Sequence, residues 1–250
     1  MDDPALRSFT ISESTHRINN PLTSEKLATL GRALDLRPGS RILDLACGSG
    51  EMLCTWAHDH AITGIGMDIS TFFIGKASAR ADELGVSAKT EFVHGDASGY
   101  VADTAVDIAA CIGASWVGNG VAGTVDPLRR STIPGGMMLI GEPFWRQDPP
   151  DQASVEGCYV TSKDVFLPLP ELLEHVGELD CDVVEMVLAD QDGWDRYAAA
   201  QWLNIRRWLD ANPNDELAGE MRSSLATSPA RHARYVREYL GFGIFAVMNR

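Results

Sequence analysis

Short apolar runs alternate with longer amphipathic stretches through the first two thirds of the chain. The apolar runs predict strands at 41–45, 62–67, 90–94, 106–112 and 137–140. The stretches between them have helical spacing, as at 51–58 and from an N-cap at Ser70 to Leu84. Strands that alternate with helices predict a parallel sheet with helices on both faces.

The later chain departs from this alternation. It contains predicted strands at 183–188 and 242–248, with helical pattern between them at 194–209 and 230–240, and another helix is predicted at 24–34. We therefore predict one α/β domain with added helical caps. Its parts are an N-terminal cap (1–37), a nucleotide-binding core (38–190), a helical insertion (191–240) and a last strand (241–250).

The most informative segment follows the first predicted strand. Asp44 closes that strand, and Gly48 and Gly50 lie in the loop before the next helix. Glycines allow close backbone approach to a ligand, and a helix N-terminus offers unpaired N–H groups, so the loop fits a nucleotide-like ligand. Leu53 stands where a dinucleotide fingerprint requires its third glycine, and no phosphate-loop motif is present.

Three acids end three successive predicted strands, and we expect them along one edge of the sheet. Asp44 suits an ammonium group, and Asp68 follows it at 68 − 44 = 24 residues, near the spacing at which a carboxylate binds ribose hydroxyls. Asp96 would accept a hydrogen bond from an adenine amino group.

These residues resemble the first motifs of class I S-adenosylmethionine-dependent methyltransferases. Asp44, Ala46, Gly48 and Gly50 match the family's acid and alternate glycines, except that Ala46 replaces the first glycine and so has less access to positive φ. The segment 106–113 and the Pro134-Gly135-Gly136 turn also match. The resemblance implies a Rossmann-like, doubly wound, seven-stranded and mostly parallel sheet with an antiparallel last strand.

The resemblance also implies S-adenosyl-L-methionine as the cofactor, S-adenosyl-L-homocysteine as the product, and no metal. The cofactor-binding residues that it implies are Asp44, Ala46, Gly48, Gly50, Asp68, Ile69, Gly95, Asp96, Ala97 and Cys111. The segments 9–21, 49–57, 138–143 and 182–197 are similar to a little-characterised bacterial "probable methyltransferase" group, which implies a shared layout of the substrate site but no substrate.

Glu142 and His16 are the candidate catalytic residues. Glu142 ends the fifth strand, where it would orient or deprotonate an acceptor, or merely satisfy the local backbone. His16 lies with Arg17 and Asn20 in the N-terminal cap, where a polar lid and a solvated loop are both open interpretations.

Several aromatic residues follow strand ends or lie in the insertion. The candidates for substrate contact are Trp116, Trp145, Trp194 and Tyr197, together with Arg17. Core packing is the alternative for each aromatic side chain. If they line a pocket, its substrate is planar and apolar.

Composition and net charge limit the classes of molecule that this chain is expected to bind. The 250 residues carry 21 Lys and Arg against 35 Asp and Glu, a net charge of −14, which disfavours nucleic acid and anionic membranes. Five cysteines without C-x-x-C spacing indicate neither disulfides nor zinc, and His58-Asp59-His60 is expected to be solvated surface. No secretory leader pattern is present, so we expect a cytoplasmic protein.

The combined prediction is methyl transfer from S-adenosyl-L-methionine to a small, planar or aromatic molecule at nitrogen, oxygen or carbon. A cyclopropane-type synthase with the same donor and a non-catalytic S-adenosylmethionine-binding regulator remain open alternatives. Leu53 and Asp44 weaken a third alternative, a nicotinamide-dependent oxidoreductase.

Overall fold

A computed structural model describes residues 4–250, and seven strands within this range form one sheet. The strands are β1 Arg41–Leu45, β2 Thr63–Asp68, β3 Thr90–His94, β4 Val106–Ile112, β5 Thr132–Trp145, β6 Cys181–Leu188 and β7 Leu240–Asn249. They lie in the order β3-β2-β1-β4-β5-β7-β6, and only β7 runs antiparallel to its neighbours. The predicted fold class is confirmed.

The helices fall mostly between the strands. They are α1 Pro4–Ser12, α2 Ser24–Ala33, α3 Glu51–His60, α4 Thr71–Glu83, α5 Val121–Ser131, α6 Gln152–Gly157, α7 Leu169–Glu178, α8 Gln191–Ala211, α9 Ala218–Arg231 and α10 Arg237–Tyr239. Ser70 caps α4 as predicted, because its hydroxyl accepts from the Phe73 N–H, and Asp190 caps α8 through the Gly193 N–H.

Neighbouring residues of the central strands point to opposite faces of the sheet, so the sheet has one core on each face. Ile42 of β1 packs with α2 and α3 on one face, whereas Leu43 packs with α5 and α7 on the other. Ile244 and Phe245 of β7 divide in the same way. Burial on both faces explains why these strands read as continuous apolar runs.

The N-terminal helix and the helical insertion share a separate small core. Ile11 of α1 packs against Ile205 and Leu209 of α8 and Met221 of α9. The insertion therefore lies against the N-terminal segment, at the carboxyl edge of the sheet where β6 ends and α8 begins. The domain boundaries stay predictions, and residues 1–3 lie outside the described range.

Two predicted elements differ from the structure. β5 extends well beyond 137–140, because Thr132 before the Pro134-Gly135-Gly136 turn pairs with Val106 of β4 across a register shift, and the residues up to Trp145 pair with β7. The helix predicted at 230–240 is interrupted by a π-helical turn at His232–Val236.

Candidate functional site

The loop between β1 and α3 has three alternate residues with positive φ. These are Ala46 at +59°, Gly48 at +54° and Gly50 at +69°. Although alanine was expected to have less access to positive φ, Ala46 adopts the left-handed conformation of the glycine that it replaces. A Cβ on Gly50 would lie 2.6 Å from Ala77 Cβ, so Gly50 also allows α3 to pack closely on α4.

Asp68 at the end of β2 organises this loop. Its Oδ2 accepts the Gly48 N–H at 2.9 Å, and its Oδ1 accepts the Ser70 N–H at 2.8 Å. The side chain is buried, and burial raises its pKa while the two N–H groups oppose that rise. Each carboxylate oxygen retains a further lone pair for a ligand hydroxyl.

Asp44 is buried at the end of β1, close to Asp68. Burial, and then the charge of Asp68, raise the pKa of Asp44 to about 8. A carboxyl group held neutral in this way becomes ionised when a cation binds beside it. The position therefore suits a positively charged ligand group.

The other predicted cofactor residues extend along the same edge. Asp96 is exposed, and its Oδ1 accepts the Ser98 N–H at 2.9 Å, which lowers its pKa. The Gly95 N–H bonds to the Asp68 carbonyl, Ala97 is buried, and Ile69 is half exposed. Asp44, Asp68 and Asp96 thus end the three adjacent strands β1, β2 and β3. Their roles in binding stay predictions.

A cavity of about 50 Å³ lies over the loop. Asp44 and Gly48 line it from below, Arg17 and Asn19 from the N-terminal segment, and Ile112 from β4. Asp44 and Arg17, whose charges would pair with an amino-acid group, thus both line it, and the Arg17 guanidinium is paired with Glu83 at 3.0 Å.

The segment 13–20 covers this cavity through polar contacts. Asn19 Oδ1 accepts the Ser49 N–H at 3.1 Å, and it would lie 2.6 Å from a Cβ on Gly48. The Ser49 hydroxyl donates to the His16 carbonyl at 3.1 Å, and Lys76 Nζ donates to the same carbonyl at 2.8 Å. The segment is thus fastened to both the loop and α4.

His16 and Glu13 are the residues of this segment that contact α8. His16 Nε2 donates to the Tyr197 carbonyl at 3.1 Å, while Nδ1 makes no hydrogen bond and lies 3.4 Å from Glu13 Oε2. Glu13 is fully buried and accepts from Asn19 Nδ2 at 3.2 Å and Gln201 Nε2 at 2.6 Å. These contacts favour a structural link over a catalytic role for His16.

Glu142 lies near the carboxyl end of β5, opposite Gly243 of β7. One oxygen accepts a hydrogen bond from the Ser115 hydroxyl, whereas the buried Oε2 has no partner. Burial raises the pKa of Glu142 to about 7, against the opposing effect of Ser115. The preceding residue, Gly141, pairs with Ile112, which lines the small cavity.

Cys111 lies near the carboxyl groups of both Asp44 and Glu142. It is fully buried in β4, and burial, followed by the charges of Asp44 and Glu142, raises its pKa to about 12. Asp44 and Glu142 therefore flank the same residue of β4. Such a thiol is protonated and inert at neutral pH.

The predicted aromatic residues separate into two environments. Trp116 is 70% exposed in the 3₁₀ turn Ser115–Gly118, whereas Trp145 is 2% exposed and donates from Nε1 to the Lys163 carbonyl at 2.8 Å. Trp194 packs edge-on to Tyr197, with a buried and unpartnered Nε1. Burial and a satisfied N–H favour core packing for Trp145.

A larger groove of about 970 Å³ lies where β5 and β6 end. Trp145 backs it, with Phe166 and Leu188 among its other lining residues, and it shares none of these with the small cavity. Its greater volume does not make it the reaction site, because the acids that end β1, β2 and β3 lie elsewhere.

The described residues contain neither a candidate metal-binding cluster nor a membrane-spanning helix. Among residues 4–250, no three His, Cys, Asp or Glu side chains come together as a candidate metal site, and His58 instead bonds to Asp59 at the surface. Within the same range, no helix combines the length and apolar character needed to cross a bilayer.

Sequence reasoning missed the contacts made by Glu13, Asn19 and Gln201. His16, Arg17 and Asn20 left a polar lid and a solvated loop both open, and did not show which side chains of this segment are buried. The signal that reveals these contacts is the complete burial of Glu13, since a buried glutamate requires several hydrogen-bond partners. Burial at position 13 is decided by α8, which lies far along the chain.

A family model described as "Methyltransferase domain" matches residues 42–136. A solved structure of a SAM-dependent methyltransferase from Geobacter sulfurreducens, in complex with S-adenosyl-L-homocysteine, is 61% identical, covers 98% of each chain and has a TM-score of 0.96. The uncharacterised protein YjhP of Escherichia coli (strain K12) is 56% identical over 250 residues, covering 100% of each chain.

A more distant relative has a named reaction. A demethylmenaquinone methyltransferase from Paenarthrobacter aurescens (strain TC1) is 24% identical over 217 residues, covering 82% of this chain and 76% of its own.

Proposed function

This chain belongs to the S-adenosylmethionine-dependent methyltransferases, and from that premise we propose that it methylates a small planar molecule bound beside Glu142. The cofactor is S-adenosyl-L-methionine and the product S-adenosyl-L-homocysteine. The acceptor class and the residues that hold each ligand are the proposed parts.

The cofactor residues are proposed from the fit of the cavity and its surrounding acids. Asp44 and Arg17 would hold the ammonium and carboxylate groups of the cofactor's amino-acid end, because both line the cavity over the glycine loop. Asp68 would bind the ribose hydroxyls with its remaining lone pairs. Arg17, initially a substrate candidate, thereby becomes a cofactor candidate.

The observation that carries the acceptor proposal is the unpartnered Oε2 of Glu142. A buried carboxylate oxygen without a donor costs free energy unless a ligand group satisfies it. An acceptor with an N–H or O–H group would supply that donor. Trp116 follows Ser115, which bonds to Glu142, and its ring is exposed, which supports the proposal that it stacks on a planar acceptor.

One further atom, Trp194 Nε1, supports a polar acceptor site, whereas His16 Nδ1 faces Glu13. Within the described range, the buried side-chain atoms without hydrogen-bond partners are His16 Nδ1, Trp194 Nε1 and Glu142 Oε2. All three belong to residues selected from the sequence for chemistry. The methyl acceptor named by the distant relative, demethylmenaquinone, has a planar ring system, in line with the proposed class.

The mechanism depends chiefly on positioning. S-adenosylmethionine, when bound, supplies a methyl group on a cationic sulfonium as the electrophile. Glu142 and the aromatic residues orient the acceptor's attacking atom, and such orientation contributes about 7–11 kcal/mol. Glu142 can also remove a proton, which adds roughly 3–5 kcal/mol. The segment 13–20, held against helix α8, would cover the cofactor cavity and exclude water.

The proposal is tested by measuring S-adenosylhomocysteine release with hydroxy- and amino-substituted planar heterocycles. For the wild-type protein we expect turnover that rises with pH around 7, as Glu142 ionises. For Glu142→Gln we expect a rate lower by about 10²–10⁴-fold and no such pH dependence. Glu174→Gln, which changes an exposed glutamate of α7, is the matched control.

Other outcomes would support the alternatives. Turnover only with unsaturated lipid vesicles would indicate a cyclopropane-type synthase, and binding of S-adenosylhomocysteine without turnover of any acceptor would indicate a regulator. Solved structures of cyclopropane synthases are only 15–16% identical to this chain and show the fold alone.

A further inference from the structure

Glu13 lies at the centre of a continuous hydrogen-bond path. The Ser49 N–H of the glycine loop donates to Asn19 Oδ1, and Asn19 Nδ2 donates to Glu13 Oε2. Glu13 Oε1 then accepts from Gln201 Nε2 of α8 at 2.6 Å. The path thus joins the cofactor loop to the helix that carries Trp194 and Tyr197.

The covering segment must move when the cofactor binds. The cavity between it and the loop is about 50 Å³, far below the roughly 300–1,000 Å³ of ligand pockets, and Asn19 lies directly over Gly48. Hydrogen bonds fasten the segment to the loop and to α4, while Ile18 alone of its apolar residues packs on the core beneath. Such a segment can open locally without unfolding of the sheet.

Burial of Glu13 links this movement to α8. Its side chain is completely buried, and Tyr197 also bonds to it, with a pKa raised well above the usual range by burial and then by the Glu13 charge. If the segment moved alone, Glu13 would lose Gln201 and Tyr197 and leave unsatisfied polar atoms on both sides. The lower-cost movement carries the start of α8 with the segment.

We propose that Asn19, Glu13 and Gln201 form a relay that transmits occupancy of the glycine loop to α8, so that cofactor binding orders the acceptor side of the site. These are positioning residues rather than catalytic ones. The consequence for the acceptor rests on the proposed function, whereas the relay itself requires only cofactor binding. By linkage, an acceptor held by α8 would strengthen cofactor binding by the same factor.

The test is hydrogen–deuterium exchange of the full chain with and without saturating S-adenosylhomocysteine. For the wild-type protein we expect protection of residues 46–52 at the loop, and exchange about fivefold slower in residues 191–204 of α8. The double variant Gln201→Met with Tyr197→Phe removes both α8 partners of Glu13 without touching the loop. In this variant we expect protection at 46–52 to remain and the response of α8 to disappear.

Asn204→Leu is the matched control. Asn204 also fastens α8 to the N-terminal segment, through the Ser12 carbonyl and the Thr15 hydroxyl, but it lies outside the relay. We expect the response of α8 to persist in this variant, even if exchange is faster in both states. Glu13→Gln provides a second test, because the new amide would face the donor of Asn19 or Gln201 and suppress the response.

The outcomes separate the relay from the proposed function. Protection at 46–52 with unchanged α8 exchange in the wild-type protein would overturn the relay alone. The relay is likewise overturned if the Gln201→Met and Tyr197→Phe double variant retains the response, or if Asn204→Leu loses it as completely. Absence of protection at 46–52 would contradict the cofactor site, and the relay with it.

Discussion

Single residues at the cofactor loop adopt conformations and protonation states that their neighbours impose. Ala46 lies at φ +59°, a region that disfavours any residue with a Cβ, and Asp44 retains a proton because burial and Asp68 disfavour its charge. Both features store free energy at the place where the ligand is expected to bind.

Ala46→Gly removes the strain of the left-handed conformation. We expect the free energy of unfolding to rise by up to about 1 kcal/mol, because the relief exceeds the entropy cost of glycine. Urea denaturation measures this change. Ala79→Gly, at an exposed position inside α4, is the control and should lose about 1 kcal/mol, and a similar loss for Ala46→Gly would show that no strain is present.

Asp44→Asn removes a group whose pKa is about 8 in the folded protein. An unfolded Asp titrates near about 3.9, so between these values the folded state alone holds the proton. The wild-type free energy of unfolding should therefore fall as pH rises from about 4 to about 8, by about 1.4 kcal/mol per pH unit from this group. The amide of the variant does not titrate, so denaturation at about pH 5 and about pH 7.5 should show a shallower fall. Equal slopes would contradict the assigned proton.

The elements were predictable where local pattern decides them. β1, β4 and the Ser70 cap follow from apolar runs and capping chemistry that neighbouring residues specify. The extent of β5 depends on pairing with β4 and β7, and the cover over the loop depends on α8. Such contacts join residues far apart in sequence, and no local pattern encodes them.

The same distinction applies to the candidate site. Asp44, Gly48 and Asp68 were identifiable because a strand end and the following loop form one local motif. Whether Trp116 or Trp145 is exposed depends on what covers each ring. In the structure, the 161–170 region covers Trp145 through Phe166 and the Lys163 carbonyl.

Trp145→Ala and Trp116→Ala should separate packing from acceptor binding. For Trp145→Ala we expect the free energy of unfolding to fall by about 3–5 kcal/mol, since a buried indole leaves a cavity. For Trp116→Ala we expect a change within about 0.5 kcal/mol, and a KM for a planar acceptor raised about threefold to tenfold. Denaturation and acceptor kinetics check these values. A large stability loss for Trp116→Ala would assign that ring to the core instead.

At the scale of the whole molecule, the sheet provides a rigid edge and the caps provide a cover. Two cores fix the strands, so the acids at the ends of β1, β2 and β3 are held in place. The third core ties α1 to α8 and α9, so the insertion supports the N-terminal segment that covers the small cavity. Three of the acids behind the net charge of −14, Asp44, Asp68 and Asp96, belong to one predicted site for a cationic nucleoside.

The central claim is that this edge binds S-adenosylmethionine through the glycine loop and its acids. Isothermal titration calorimetry with S-adenosylhomocysteine tests it most directly. We expect saturable binding to the wild-type protein and a loss of about 1–3 kcal/mol in Asp68→Ala, through lost charged hydrogen bonds. Asp103→Ala removes an exposed acid elsewhere and should bind as the wild-type protein does. Failure of the wild-type protein to bind at millimolar ligand, or equal affinity of Asp68→Ala, would contradict the claim.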